Sequence, residues 1–251
     1  VMNSAGMPGV IPFRANAVEA LRNPALRAAM RNATETFAKK REEAVASTPL
    51  EEWREAASNV RKEVLENLEH YLNQFSKNAT NAGAVVHRAK DSETAIELVG
   101  YILKDRSVRK VVKSKSMVTE EIHLNLHLEK QGIEIVETDL GEYIIQIAGE
   151  GPSHIIVPAI HKDRKQVGKL FAEKLHCEYT DDPAALTKIA RKVLRAKFLS
   201  AQAGISGANF AVADTGSIVL FTNEGNGRMV TTLPPLHIAI LSIEKIIPTL
   251  L

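Results

Sequence analysis

The chain has 251 residues, 45% of them hydrophobic and 25% charged, so it has enough apolar material for one large domain or two small ones and is not wholesale disordered. Thirty-two Lys and Arg against 30 Asp and Glu leave +2, a balance that argues against a dedicated nucleic-acid binder. The single cysteine, Cys177, excludes an internal disulfide, a zinc ribbon and a four-cysteine iron–sulfur cluster within these residues.

In chain order, the first residues carry neither the basic flank nor the apolar stretch of a secretory signal, and no apolar run approaches a membrane span. A cytoplasmic location is expected. From Asn16 to about Asn78 the composition is helical and charged. Thr48 reads as a cap, Pro49 as the first helical residue and Glu51 as the close of a capping box. Trp53, Ala57, Val60, Val64, Leu68, Leu72 and Phe75 then form one apolar stripe, expected to pack on the rest of the chain or on a second copy as a homodimer. Residues 1–80 are therefore read as a helical extension and 81–251 as an α/β domain.

After Asn81 strands and helices alternate. Strands are expected at Ala84–Val86, Val108–Val112, Ile133–Val136, Glu142–Ala148, His154–Pro158, Asn209–Ala213, Ser217–Thr222 and Arg228–Thr232. Helices are expected after Asp91, over Thr119–Lys130, from about Lys162 to Leu175 and from Asp181 to about Ala201. This order predicts a mostly parallel sheet with helices on both faces, and a ligand beyond the carboxyl ends of its strands.

Three segments offer chemistry. Lys113-Ser114-Lys115-Ser116 leaves a strand and enters a helix, a place suited to a carboxylate or phosphate; the plainer reading is a basic strand end with Thr119 as helix cap. Asp214-Thr215-Gly216 is a hairpin-like turn. Asn223-Glu224-Gly225-Asn226-Gly227-Arg228 gathers a carboxylate, two carboxamides and an arginine in one loop, with Glu224 placed as a base or nucleophile would be; an Asn-Gly turn is the alternative. His123 and His127 stand four apart on one helix, but two ligands make no metal site and none is assigned. Lys113, Lys115, Ser116, Thr215, Gly216, Asn223, Gly225, Asn226, Arg228 and His237 are the candidate ligand-binding residues, with Glu224 the candidate catalytic one. Lys115 and Arg228 are expected to supply the positive charge.

The blocks Lys113–Met117 with Glu120-Glu121, Glu137–Glu142, Pro158–His161, Gly204–Phe210, Thr215–Ser217, Asn223–Arg228 and Pro235–Ile238 together resemble the LUD domain of the lactate-utilisation protein B family, over roughly Val10 to Leu251. The resemblance implies the NagB/RpiA/CoA-transferase-like fold and a role in oxidising L-lactate to pyruvate with other lactate-utilisation subunits, in an electron-transport oxidoreductase complex. It also implies a C-terminal segment with cysteines for [4Fe–4S] clusters. That segment has no counterpart before Leu251, so a truncated chain is expected, with no cofactor of its own. The alternative is an acyl-coenzyme A or phosphosugar-handling enzyme using Glu224.

Overall fold

The computed structural model describes residues 13–154 and 157–250. Four helices come first: α1 (Phe13–Arg22), α2 (Pro24–Ala46), α3 (Leu50–Glu66) and α4 (Leu68–Asn81). Thr48 does not cap α3. Its hydroxyl donates to the Ala44 carbonyl at 2.7 Å, finishing α2, and Pro49 is the N-cap.

The remaining elements are α5 (Ser92–Asp105), β1 (Lys110–Lys113), α6 (Met117–Glu121), α7 (Leu124–Lys130), β2 (Glu134–Glu137), α8 (Leu140–Ala148), α9 (Arg164–Leu175), α10 (Pro183–Ser200), β3 (Ala203–Ser206), β4 (Phe210–Val212), β5 (Ser217–Val219), α11 (Asn226–Thr232), β6 (Leu236–Ala239) and β7 (Ile246–Ile247). A four-stranded sheet runs β2-β1-β3-β6, parallel throughout. A smaller sheet runs β5-β4-β7, antiparallel at β4–β5 and parallel at β4–β7.

Alternation along the strands explains the layers, because successive side chains point to opposite faces. Val111, Ile135 and Ile205 pack with Val99, Leu103, Leu124 and Leu128 from α5 and α7. Their chain neighbours Val112 and Val136 pack with Tyr143, Leu194, Phe198 and Val230 from α8, α10 and α11. The expected α/β architecture with helices on both faces is what the chain adopts.

Four expected elements fail locally. Residues 84–89 carry no helix or strand, and Val85 lies 80% exposed with no strand beside it. Glu142–Ala148 is helical, because Asp139 caps α8 by accepting from Glu142 N, Gly149 ends it at φ +67°, and Leu140, Ile144 and Ile147 share an apolar face. Arg228–Thr232 also lies in a helix. α11 sits so close over β3 that a Cβ on Gly204 would stand 2.0 Å from the Val230 carbonyl oxygen. The Thr119–Lys130 helix is broken into α6 and α7 by His123, whose φ is +52°. The expected strand His154–Pro158 includes residues 155–156, outside the described residues.

The Trp53–Phe75 stripe is covered over only part of its length. Val64, Leu68, Leu72 and Phe75 pack against Ala211, Ala213 and Ile246 of the smaller sheet, while Trp53 stays 61% exposed.

Candidate functional site

The parallel strands β2, β1 and β3 end at Glu137, Lys113 and Ser206. Lys113 and Glu137 are paired in register, so their side chains share a face and meet at 3.0 Å. The Lys113 ammonium is fully buried and its donors are spoken for. It reaches Thr119 Oγ1 at 3.1 Å and Glu120 Oε1 at 2.9 Å as well as Glu137. Burial pulls its pKa down, but Glu137, Glu120 and Glu142 outweigh that and hold it above the ordinary lysine value. An ammonium has three donors, so Lys113 organises the site and is not offered to a guest.

Ser116 caps α6, its Oγ accepting from Thr119 N at 3.4 Å. The cap is therefore Ser116, not Thr119, whose own hydroxyl donates to the Ser116 carbonyl. Gly207, just past β3, packs so tightly that a Cβ would stand 2.8 Å from Ser116 Oγ. Thr138 joins β2 to β1, its N–H and hydroxyl both donating to the Lys113 carbonyl at 3.0 and 2.8 Å. Asn226, opening α11, donates to Thr138 Oγ1 at 3.4 Å. The strand-to-helix turn after β1 and the loop before α11 thus meet at one edge.

Lys115 is half-buried there, its Nζ 4.0 Å from Glu142 Oε1. Glu142 lies in the first turn of α8, beside Glu137. Burial, then the Glu137 charge, push its pKa up to about 8 against the pull of Lys113 and Lys115. Glu137 Oε2 and Glu142 Oε2 are buried acceptors without a protein donor. A proton held by Glu142 at neutral pH supplies one between them.

The Asn223–Gly225 loop is exposed. Partial burial and the charge of Asp139 raise the Glu224 pKa, and Lys115 lowers it. The cation that Glu224 feels is therefore Lys115, not Arg228. Residues 226 and 228 of a helix stand about 200° apart, so with Asn226 facing Thr138, the exposed Arg228 is turned away. The sequence suggested an arginine at the site because Arg228 shares one loop with Asn223–Gly227.

Thr215 and Gly216 are not brought to this edge. Their turn lies at the far end of β4 from Gly207, pressed on α4. A Cβ on Gly216 would meet Ala79 N at 2.1 Å, and Asn78 Nδ2 donates to the carbonyls of Ala213 and Asp214. His237 on β6 meets Ser206 Oγ at 2.8 Å, and burial lowers its pKa. It borders the crevice through β3.

Glu137, Thr138, Asp139 and Glu142 were not singled out as site residues. The available signal was position, since Glu137-Thr138-Asp139 directly follows a parallel strand. Cys177 is the one thiol in the sequence, and a [4Fe–4S] cluster takes four, so these residues do not fit such a cluster.

A family model described as LUD domain matches residues 72–251. The chain belongs to the LUD domain family. Lactate utilization protein B of Bacillus subtilis (strain 168) is 45% identical over 243 residues, covering 96% of this chain and 51% of that protein. Lactate utilization protein B of Bacillus cereus (strain AH820) is 50% identical over 200 residues, 80% of this chain and 42% of that protein. The chain spans about half the length of the curated relatives it matches. No solved structure matches it significantly. Among the described residues no helix is long and apolar enough to cross a membrane.

Proposed function

We propose that this chain is the LUD-domain part of a protein that takes part in L-lactate utilisation, and that its crevice binds a small hydroxy or keto acid. The observation that carries this reading is the meeting of Lys115, Ser116, Asn226 and Glu142 at the carboxyl edge of the parallel sheet. Lys115 is the cation for a guest carboxylate, and Asn226 is placed to orient it. A protonated Glu142, its proton held against Glu137, adds no negative charge beside the guest. Asp139 is less hostile to an anion than its charge suggests, because its carboxylate caps α8.

Turning lactate into pyruvate removes two electrons and two protons. Two electrons need an acceptor, and the lone thiol of this sequence cannot anchor the four-thiolate cluster that would be one. We read the chain as a binding and docking domain, with the electrons taken by iron–sulfur clusters that lie outside these residues. The relatives' name supports the pathway, and the crevice supports the ligand class.

Heteronuclear NMR of the protein with L-lactate, pyruvate, phosphate and acetyl-coenzyme A in turn tests this. The reading expects saturable shifts at Lys115, Ser116 and Asn226 with the hydroxy or keto acid. Shifts confined to acetyl-coenzyme A, with an adduct on Glu224, would support acyl transfer instead.

A further inference from the structure

The loop between α8 and α9 holds a second constellation, built from residues that take no part in the proposed ligand site. Ser153 Oγ lies 2.6 Å from His161 Nδ1, and His161 Nε2 lies 2.9 Å from Glu150 Oε2. Glu150 is itself anchored, its other oxygen accepting from Lys162 Nζ at 2.7 Å. We propose that Ser153, His161 and Glu150 form a nucleophilic relay in which Ser153 takes an acyl group from an activated ester or thioester.

Each part has a physical role. Hydrogen bonds from Lys162 and then His161 hold the Glu150 carboxyl below the usual range, so it is an anion at neutral pH. An anion at Nε2 fixes the proton on that nitrogen and leaves Nδ1 as the acceptor for the serine proton. Ser153 is exposed, so a reagent can reach it, while the His161 side chain is 21% exposed and held on both sides. A serine, a base and an orienting carboxylate within hydrogen-bond reach make a relay by geometry rather than by sequence order.

The chemistry balances without another reactant. Ser153 Oγ bonds to the acyl carbon, its proton passes to His161 Nδ1, and the bond from carbon to the leaving group breaks. The departing alcohol or thiol takes that proton. Water then repeats the steps to release the acid and restore the serine.

The Ser153 amide bears on the class of donor. The Ser153 N–H donates to the Pro158 carbonyl at 3.1 Å, so it cannot bind a developing oxyanion. A missing oxyanion donor costs about 10²–10³-fold in rate. Donors with good leaving groups, such as aryl esters and thioesters, depend least on such a donor. Glu150 is a positioning residue, because it acts only through His161.

The test uses the full chain, p-nitrophenyl acetate and a fluorophosphonate, with mass spectrometry to find the adduct. Ser153 is expected to carry it, and His161→Gln should slow its formation at least about 100-fold, the low end for a general base. Glu150→Gln should lower the acylation rate at saturating ester without raising KM, and Glu150→Asp should recover part of it. Should Ser153→Ala disturb the loop, Ser153→Cys provides a second reading. Its thiol should react with iodoacetamide faster than Cys177, and lose that advantage when His161→Gln is added. No adduct on Ser153, or labelling unchanged by His161→Gln, would overturn the relay.

Discussion

Glu142 is the residue on which the crevice turns. Its carboxyl is raised from 4.5 to about 8, so the folded protein keeps a proton that the unfolded chain releases. The folded state then binds more protons between those two pH values, and stability falls as pH rises across them. A single fully coupled group gives a slope of up to about 1.4 kcal/mol per pH unit, levelling off once both states are ionised. Glu142→Gln mimics the protonated form. It should melt close to the parent at pH 5 and clearly above it at pH 9, as read by thermal denaturation. A variant that is destabilised equally at both pH values would show that Glu142 carries no proton in the fold. The same linkage makes the crevice less welcoming to anions above about pH 8, where an ionised Glu142 competes for Lys115.

At the scale of elements, α8 does more than cover the sheet. β2 is an edge strand, with backbone groups facing away from β1. Gln146 closes that edge, its Nε2 donating to the Ile135 carbonyl at 2.7 Å and its Oε1 accepting from Glu137 N at 3.0 Å. Gln146→Ala should cost about 1–3 kcal/mol, the penalty for leaving buried polar groups unpaired, and it should loosen Glu137 as well. Denaturant melts measure the cost; a change below about 0.5 kcal/mol, the scatter of ordinary surface substitutions, would show that water serves the edge equally well.

The same elements show where the sequence could and could not be read. Helices with an acidic cap and long apolar spacing, such as α5 behind Asp91 and α10 behind Asp182-Pro183, are written in local chemistry and were legible. α8 and α11 are rich in Ile, Val, Thr and Tyr, whose local preference is for strands. Tertiary packing overrides it, through Tyr143 and Val230 on one face of the sheet. Misreading α11 also misplaced Arg228, because a loop was expected where the helix turns residue 228 away from Asn226. Lys113 was legible as a site residue, but not as a buried one. Its partners Glu137, Thr119 and Glu120 meet only once β1, β2 and α6 are assembled.

Across the whole molecule, the helical N-terminal part and the sheets are joined at α4 and at the Val64 end of α3. Asn78, Ala79, Leu72 and Phe75 pack on or bond to the smaller sheet, whereas α2 is long, charged and exposed. Helices without tertiary cover open readily. Hydrogen exchange should therefore be faster in α2 than in α4, and equal protection in the two would point to a second copy covering α2.

The larger sheet brings the Lys113–Ser116 turn and the Asn226 end of α11 to one edge, and the proposed binding of a small carboxylate there is tested most directly by calorimetry. L-lactate and pyruvate are titrated into the parent protein and Lys115→Ala at pH 7 and pH 9. Loss of one charged hydrogen bond costs about 1.5–3 kcal/mol, so Lys115→Ala should weaken binding about ten- to a hundred-fold. The parent should bind more weakly at pH 9 than at pH 7, in the direction set by Glu142. Binding of both acids that is unchanged by Lys115→Ala, or no binding by the parent at either pH, would contradict the account.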